Sequence, residues 1–137
     1  DKERASGNHL LLCGDALIRK NYHLLLKGQL ADLIFTDAPY NVEINGNVCG
    51  KGAIQHAEFA MASGEMSLEE FEVFLDSSIR QMVEFSRNGS VHFFFMDWRH
   101  LEVLLKVCNR HYGAHLNICI WAKNNAGIGN KEKIIMI

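Results

Sequence analysis

Proline and runs of basic residues are the scarcest features of this sequence. Pro39 is the only proline among 137 residues. No run of basic residues is longer than Arg19-Lys20, and the formal net charge is −2. Because proteins grip nucleic-acid phosphates with clustered lysine and arginine side chains, this charge argues against the chain binding a DNA duplex by itself.

Long hydrophobic runs and paired cysteines are missing too. No apolar stretch approaches the roughly 18 residues that a membrane span requires, and the sequence does not start with a signal-peptide pattern. The four cysteines form no Cys-x-x-Cys pair and have no histidine at ligand spacing. We therefore predict a cytoplasmic protein with no membrane partner, no metal site and buried free thiols at Cys13, Cys49, Cys108 and Cys119.

Strand patterns and helix patterns alternate along the chain. The clearest helix begins at a capping box formed by Ser67 and Glu70, and its apolar residues recur at helical spacing. Residues 41–66 contain four glycines and no sustained period, which predicts a mobile loop beside the site. The predicted strands cover residues 9–13, 32–36, 90–96, 115–121 and 134–137, and the predicted helices cover residues 16–26, 67–87 and 98–110.

This alternation predicts an α/β fold, with a single domain over residues 1–137. Strand, helix and strand in succession form the unit of parallel sheets, and such crossovers are right-handed. The apolar run at residues 31–36 is typical of a strand that is buried in such a sheet. We expect a doubly wound, mostly parallel sheet.

The strongest candidate site follows this strand, which stops at Asp37. In open α/β sheets ligands bind at the carboxyl ends of the strands. Pro39 fixes its own backbone and biases Ala38 toward an extended conformation. The Asp37 carboxylate, the Ala38 carbonyl and the Tyr40 ring then form a stiff bracket of nucleobase size. Aspartate and proline are also ordinary turn formers, so a plain turn at the strand end is the alternative.

Polar residues follow two later strands as well, and each has two interpretations. Asp97 either caps the next helix or belongs to the site with its neighbours. Trp98 either lines the site or seals the junction of strand and helix. Lys123 either steers a phosphate or is an ordinary solvated lysine.

Several motifs, in the same order, resemble the β-type DNA methyltransferases that modify exocyclic amino groups. The run Thr36-Asp37-Ala38-Pro39-Tyr40-Asn41 is similar to their Asp-Pro-Pro-Tyr signature, with Ala38 in place of the first proline. The stretch at residues 11–17 is similar to the Gly-Asp strand end that precedes this signature. Residues 92–100 and 117–129 resemble later strands and a loop of the family, and residues 56–66 resemble a segment of bacterial and phage members, including ones fused to ParB-like domains.

The resemblance implies a Rossmann-like fold of the S-adenosylmethionine-dependent methyltransferases, present here incompletely. The implied reaction transfers a methyl group from S-adenosylmethionine to the exocyclic amine of a base flipped out of double-stranded DNA. Adenine N6 is expected over cytosine N4, because an aspartate opens the signature. A second copy of the chain, in a homodimer, is a further candidate partner.

The resemblance also implies roles for the site residues. Asp37 and the Ala38 carbonyl accept the two amine protons, which makes the nitrogen nucleophilic and stabilises its developing charge. Tyr40 stacks on the base, worth about 1–3 kcal/mol on other stacking platforms, and Pro39 stiffens the catalytic signature. Asp15 contacts the cofactor or caps a helix. The expected cofactor contacts are Asp15 and Asp37, and the expected substrate contacts are Tyr40, Asn41, Trp98 and Lys123.

One part of the family pattern has no match. No stretch of the sequence matches the glycine loop and acidic strand end that hold S-adenosylmethionine in the family. Gly127-Ile128-Gly129 is a lone Gly-x-Gly that does not follow a strand of the right kind and lacks the expected flanking residues. Because that loop and the target-recognition region come later in the β-type order, we expect part of a longer methylase. The alternative is a non-catalytic methyltransferase-like remnant or binding module, and an RNA or protein methyltransferase is a third hypothesis.

Overall fold

The computed structural model describes residues 3–6, 9–42 and 61–120. Its amino-terminal part has an antiparallel pair of strands, β1 (Glu3–Ser6) and β2 (His9–Leu12), followed by helix α1 (Arg19–Leu26). The rest comprises β3 (Ala31–Asp37), α2 (Leu68–Glu84), β4 (Ser86–Phe95), a 3-10 helix (Trp98–His100) and α3 (Leu101–His111). None of the helices in the described ranges has the length and apolar content needed to cross a membrane.

Strands β3 and β4 run parallel, with α2 between them along the chain. Leu33 lies opposite Val91 and Asp37 lies opposite Phe95, so both strands end at the same edge. Helices and strands mixed around a small parallel sheet confirm the α/β prediction at this coarse level. Within the described ranges β2 pairs with β1 and not with β3, so the larger doubly wound sheet stays a prediction.

The hydrophobic core lies where α2 and α3 pack together over one face of the β3–β4 sheet. Phe71 of α2 and Val107 of α3 are fully buried, and Phe94 of β4 packs against the same cluster. Helix α2 begins as predicted: the Ser67 Oγ accepts the Glu70 N–H at 3.2 Å, and the Glu70 carboxylate accepts the Ser67 N–H at 2.8 Å. The capping box therefore fixes the start of the helix that covers the sheet.

Two predicted helix boundaries and one predicted strand need correction. Helix α1 begins at Arg19 instead of residue 16, because a turn anchored on Asp15 precedes it. Helix α2 ends at Glu84, because Ser86 already pairs with Ala31 as the first residue of β4. Residues 115–120 are exposed and form no strand, since no neighbouring strand in the described ranges pairs with them.

Two predictions of burial were wrong in part. Leu33 and Phe35 of β3 are 54% and 66% exposed, because helices cover only the other face of the sheet. Cys13 and Cys119 are exposed, whereas Cys108 is buried, and its burial raises the thiol pKa to about 11. Cys49, Lys123, residues 43–60 of the predicted loop and the predicted strand 134–137 lie outside the described residues.

Candidate acceptor site at the end of strand β3

Asp37 is the last residue of β3, and its side chain is exposed at the carboxyl edge of the sheet. The Tyr40 hydroxyl donates a hydrogen bond to Asp37 Oδ1, while the Tyr40 ring packs against the core cluster. Burial, the hydrogen bond to Asp37 and the nearby Asp97 carboxylate all raise the pKa of Tyr40. The hydroxyl is therefore protonated at neutral pH and acts as a donor.

Asp97 follows β4 at the same edge. Its Oδ1 accepts the backbone N–H of Arg99 at 2.9 Å, which caps the 3-10 helix as the helix-cap interpretation predicts. The Arg99 guanidinium also lies 3.0 Å from Asp97 Oδ2. The Asp97 charge also acts on Tyr40, so the end of β4 contributes to the electrostatics of the tyrosine that bonds to Asp37.

His100 lies in the same neighbourhood, and the sequence analysis predicts no separate role for it. Its ring meets the Phe71 ring edge-on, with centroids 5.0 Å apart. Burial lowers the pKa of His100, so the imidazole is neutral near pH 7. Its Nδ1 is buried without a hydrogen-bond partner among the described residues. A single histidine before an apolar helix forms no sequence pattern from which its place beside the site could be predicted.

Asn41, a predicted substrate contact, bonds to the protein backbone in this structure. It is 7% exposed and has a left-handed backbone with φ of 54°. Its Nδ2 donates to the Met66 carbonyl at 2.8 Å, and its Oδ1 accepts the N–H groups of Gly64 and Met66 at 3.1 and 3.2 Å. Contact of Asn41 with substrate stays a prediction.

Trp98 lies beside a groove along α3. Its side chain is 45% exposed, and the Arg99 guanidinium carbon lies 5.2 Å from the centre of its ring. The groove has a volume of about 550 Å³. It is lined by Trp98, Leu101, Glu102, Leu105, Lys106 and Asn109.

Asp15, the other predicted cofactor contact, stabilises the turn before α1. Its Oδ1 accepts the Leu17 N–H at 2.8 Å, and its carbonyl accepts Asn21 Nδ2 at 2.8 Å. Ile18, not Asp15, is the N-cap residue of α1. Asp15 therefore stabilises the turn before α1 and does not cap the helix itself.

The two predicted cofactor contacts, Asp15 and Asp37, are not brought together by the described residues. Asp15 follows β2 and Asp37 ends β3, and these two strands belong to separate sheets in the described ranges. Neither the α3 groove nor a second cavity between α1 and α2 is lined by Asp15 or Asp37. Metal ligands are not grouped here either: among the described residues no three His, Cys, Asp or Glu side chains converge.

Comparison with known proteins leaves the family open. No protein-family model matches the sequence, and neither a curated protein nor a solved structure matches the chain. The resemblance to the β-type methyltransferases therefore rests on the sequence motifs alone.

Proposed function

We propose that this chain carries the amine-binding part of a DNA methyltransferase that transfers a methyl group from S-adenosylmethionine to an exocyclic amine. Adenine N6 is the preferred target, and cytosine N4 is the second choice. The proposed complete fold is Rossmann-like and doubly wound. The observation that carries the proposal is the exposed Asp37 carboxylate held beside Tyr40 at the carboxyl end of a parallel strand.

The chemical problem is the weak nucleophilicity of an aromatic amine, whose lone pair is delocalised into the ring. Acceptors for both amine hydrogens draw the nitrogen toward a tetrahedral geometry and stabilise the positive charge that forms during attack. A carboxylate has about four lone-pair positions on its two oxygens. Asp37 can therefore accept one amine hydrogen at Oδ2 while Oδ1 keeps its bond to Tyr40. The Ala38 carbonyl is the proposed second acceptor.

In this proposal other residues bind the methyl donor. S-adenosylmethionine supplies an electrophilic methyl group when it is bound. Asp15 and Asp37 follow strands of separate sheets in the described ranges, so we assign to the described residues only the binding and orientation of the amine. The formal net charge of −2 is unfavourable for binding phosphate. We therefore assign contact with the DNA duplex to other residues as well.

Asp37→Ala, made in the longer methylase of which we expect this chain to be a part, tests this proposal. Loss of one preorganised electrostatic partner costs about 10²–10³ in the catalytic rate of other enzymes, and we expect at least that loss in transfer of a radiolabelled methyl group to DNA. The free energy of unfolding should change little, because the side chain is exposed. Asp32→Ala is the matched control, because Asp32 is an exposed carboxylate on the same strand that pairs with Arg87.

Two outcomes would reject the assignment. Methyl transfer at the normal rate by the Asp37→Ala enzyme would remove Asp37 from the reaction. Lack of methyl transfer by the unaltered enzyme, on any DNA containing both adenine and cytosine, would favour the second candidate, a non-catalytic binding module. That candidate is favoured by the sequence, in which nothing matches the glycine loop and acidic strand end that hold the cofactor in the family. Calorimetry with S-adenosylmethionine separates the two.

A further inference from the structure

A short segment, residues 61–66, lies against the end of β3 and is held there by one side chain. Asn41 bonds to this segment through both polar atoms of its amide, in three hydrogen bonds of 2.8 to 3.2 Å. It follows Tyr40 directly in the chain and is itself buried. The acceptor corner, formed by Asp37, the Ala38 carbonyl and Tyr40, is thus attached on one side to β3 and on the other side to this segment.

We infer that Asn41 is a positioning residue, which fixes residues 64–66 to the end of β3 and thereby holds Tyr40 against Asp37. The inference deepens the proposed function and rests on it for its catalytic meaning. The structural part of the inference, that the Asn41 side chain clamps the segment behind the acceptor corner, does not depend on the reaction.

The segment that Asn41 grips is itself well anchored. Ala62 is 1% exposed and belongs to the hydrophobic core, and Met66 packs against that core. The Glu65 carboxylate accepts the N–H groups of Ala62 and Ser63, each at 2.5 Å. Ser67, the N-cap of α2, follows at once. Asn41 therefore connects the end of β3 to the rigid start of the helix that covers the sheet.

Asparagine suits this position for two separate reasons. Its φ of 54° lies in the left-handed region, which asparagine adopts more readily than most other residues. Its amide offers a donor and an acceptor at once, and both lone pairs of Oδ1 are used here by the N–H groups of Gly64 and Met66. Glycine keeps the backbone but loses the clamp, and aspartate keeps the acceptor but loses the donor.

These differences define the variants for a test on the whole 137-residue chain. Asn41→Gly removes all three hydrogen bonds without straining the backbone. Asn41→Asp keeps the acceptor for Gly64 and Met66. Lys27→Gly is the matched control, because Lys27 has the same left-handed backbone, with φ of 51°, at the end of α1.

Amide hydrogen exchange is the first measurement. In Asn41→Gly we expect the Gly64 and Met66 amides to exchange about tenfold faster or more, the size of effect that loss of a buried hydrogen bond gives. In Asn41→Asp protection should fall as well, because the new carboxylate oxygen would face the Met66 carbonyl, an acceptor, at a buried site. In Lys27→Gly the two amides should be unchanged. Unaltered exchange in Asn41→Gly, or equal loss of protection in Lys27→Gly, would overturn the assignment of the clamp.

The Tyr40 Cζ resonance is the second measurement, and it separates positioning from a merely structural role. In Asn41→Gly we expect the signal to move toward that of a tyrosine hydroxyl without a carboxylate partner, while the circular dichroism stays that of the unaltered chain. Faster exchange with an unchanged Tyr40 signal would show that Asn41 supports the fold without positioning the corner.

The catalytic consequence is measured in the intact enzyme. Asn41→Gly should lower kcat about tenfold and leave the KM for S-adenosylmethionine unchanged, because misplaced acceptors weaken the transition state and not cofactor binding. If the unaltered enzyme transfers no methyl group, the proposed function fails, and the exchange and resonance measurements still decide the role of Asn41.

Discussion

The two faces of the β3–β4 sheet differ sharply, although the same two strands supply both. On one face Phe94 packs into the core that α2 and α3 build, with Phe71 fully buried. On the other face Phe35 and Phe93 are 66% and 48% exposed, and no element of the described ranges covers them. Burial is therefore decided by where the helices lie and not by the apolar character of the strand residues.

The open face nevertheless has the composition of a buried one. The Phe35 ring lies 4.9 Å from the Phe95 ring and 6.1 Å from the Phe93 ring, measured between centroids. Parallel sheets in α/β proteins are covered on both faces, and their strands are apolar on both sides. The residue pattern of β3 thus matches a more complete sheet than the described residues form.

The largest effect should come from the covered face. Phe71→Ala empties a fully buried site, and such changes cost about 3–5 kcal/mol in the free energy of unfolding. Urea unfolding followed by circular dichroism measures the loss. A cost below about 1 kcal/mol would mean that the packing of α2 on the sheet contributes little to stability.

The second largest effect should come from acid, which should weaken the ion pairs between α2 and α3 on the covered face. Glu72 of α2 bonds to Lys106 and Arg110 of α3, and these bonds lower the pKa of Glu72. A hydrogen bond from His111 lowers the pKa of Asp76 in the same way. Because a lowered carboxyl pKa means that the folded state binds fewer protons, stability is full above the ordinary value of about 4 and falls as the pH drops below it.

Glu72→Gln checks this assignment. The variant should flatten the decline of unfolding free energy between about pH 5 and pH 2, because one of the contributing carboxylates is gone. Thermal unfolding across that range is the measurement. An identical slope in the variant would show that the pairs between α2 and α3 do not couple to folding.

The smallest effect should come from the open face. Phe35→Ala removes a ring that solvent already reaches, and exposed substitutions usually change stability by about 0.5 kcal/mol or less. Unfolding in urea under the same conditions makes it directly comparable with Phe71→Ala. Equal losses in the two variants would show that something covers the open face in solution.

Local sequence signals predicted much of this structure. Ser67 and Glu70 mark the start of α2 because a capping box needs only neighbours in the chain. The stop of β3 at Asp37 and the cap at Asp97 follow from equally local patterns. The proximity of Asp37 and Tyr40 was expected from the stiff backbone between them, and the structure joins them through the hydroxyl.

Features that depend on distant parts of the chain escaped prediction. The partners of Asn41 lie more than 20 residues further along, and no local pattern connects them. Exposure of Phe35 depends on the placement of helices, to which an apolar run gives no clue. Residues 115–120 alternate suitably for a strand, but pairing requires a neighbour that the described ranges do not supply.

The coincident ends of β3 and β4 have a consequence for which molecules this edge can select. The Asp37 carboxylate accepts a hydrogen bond from Tyr40, whose hydroxyl keeps its hydrogen at neutral pH, and Asp97 follows β4 at the same edge. Because Arg99 pairs with Asp97, Asp37 is the carboxylate at this edge that is left to attract a hydrogen-bond donor. If the proposed function holds, Asp37 would attract the amine hydrogens of a base and repel a phosphate placed beside it.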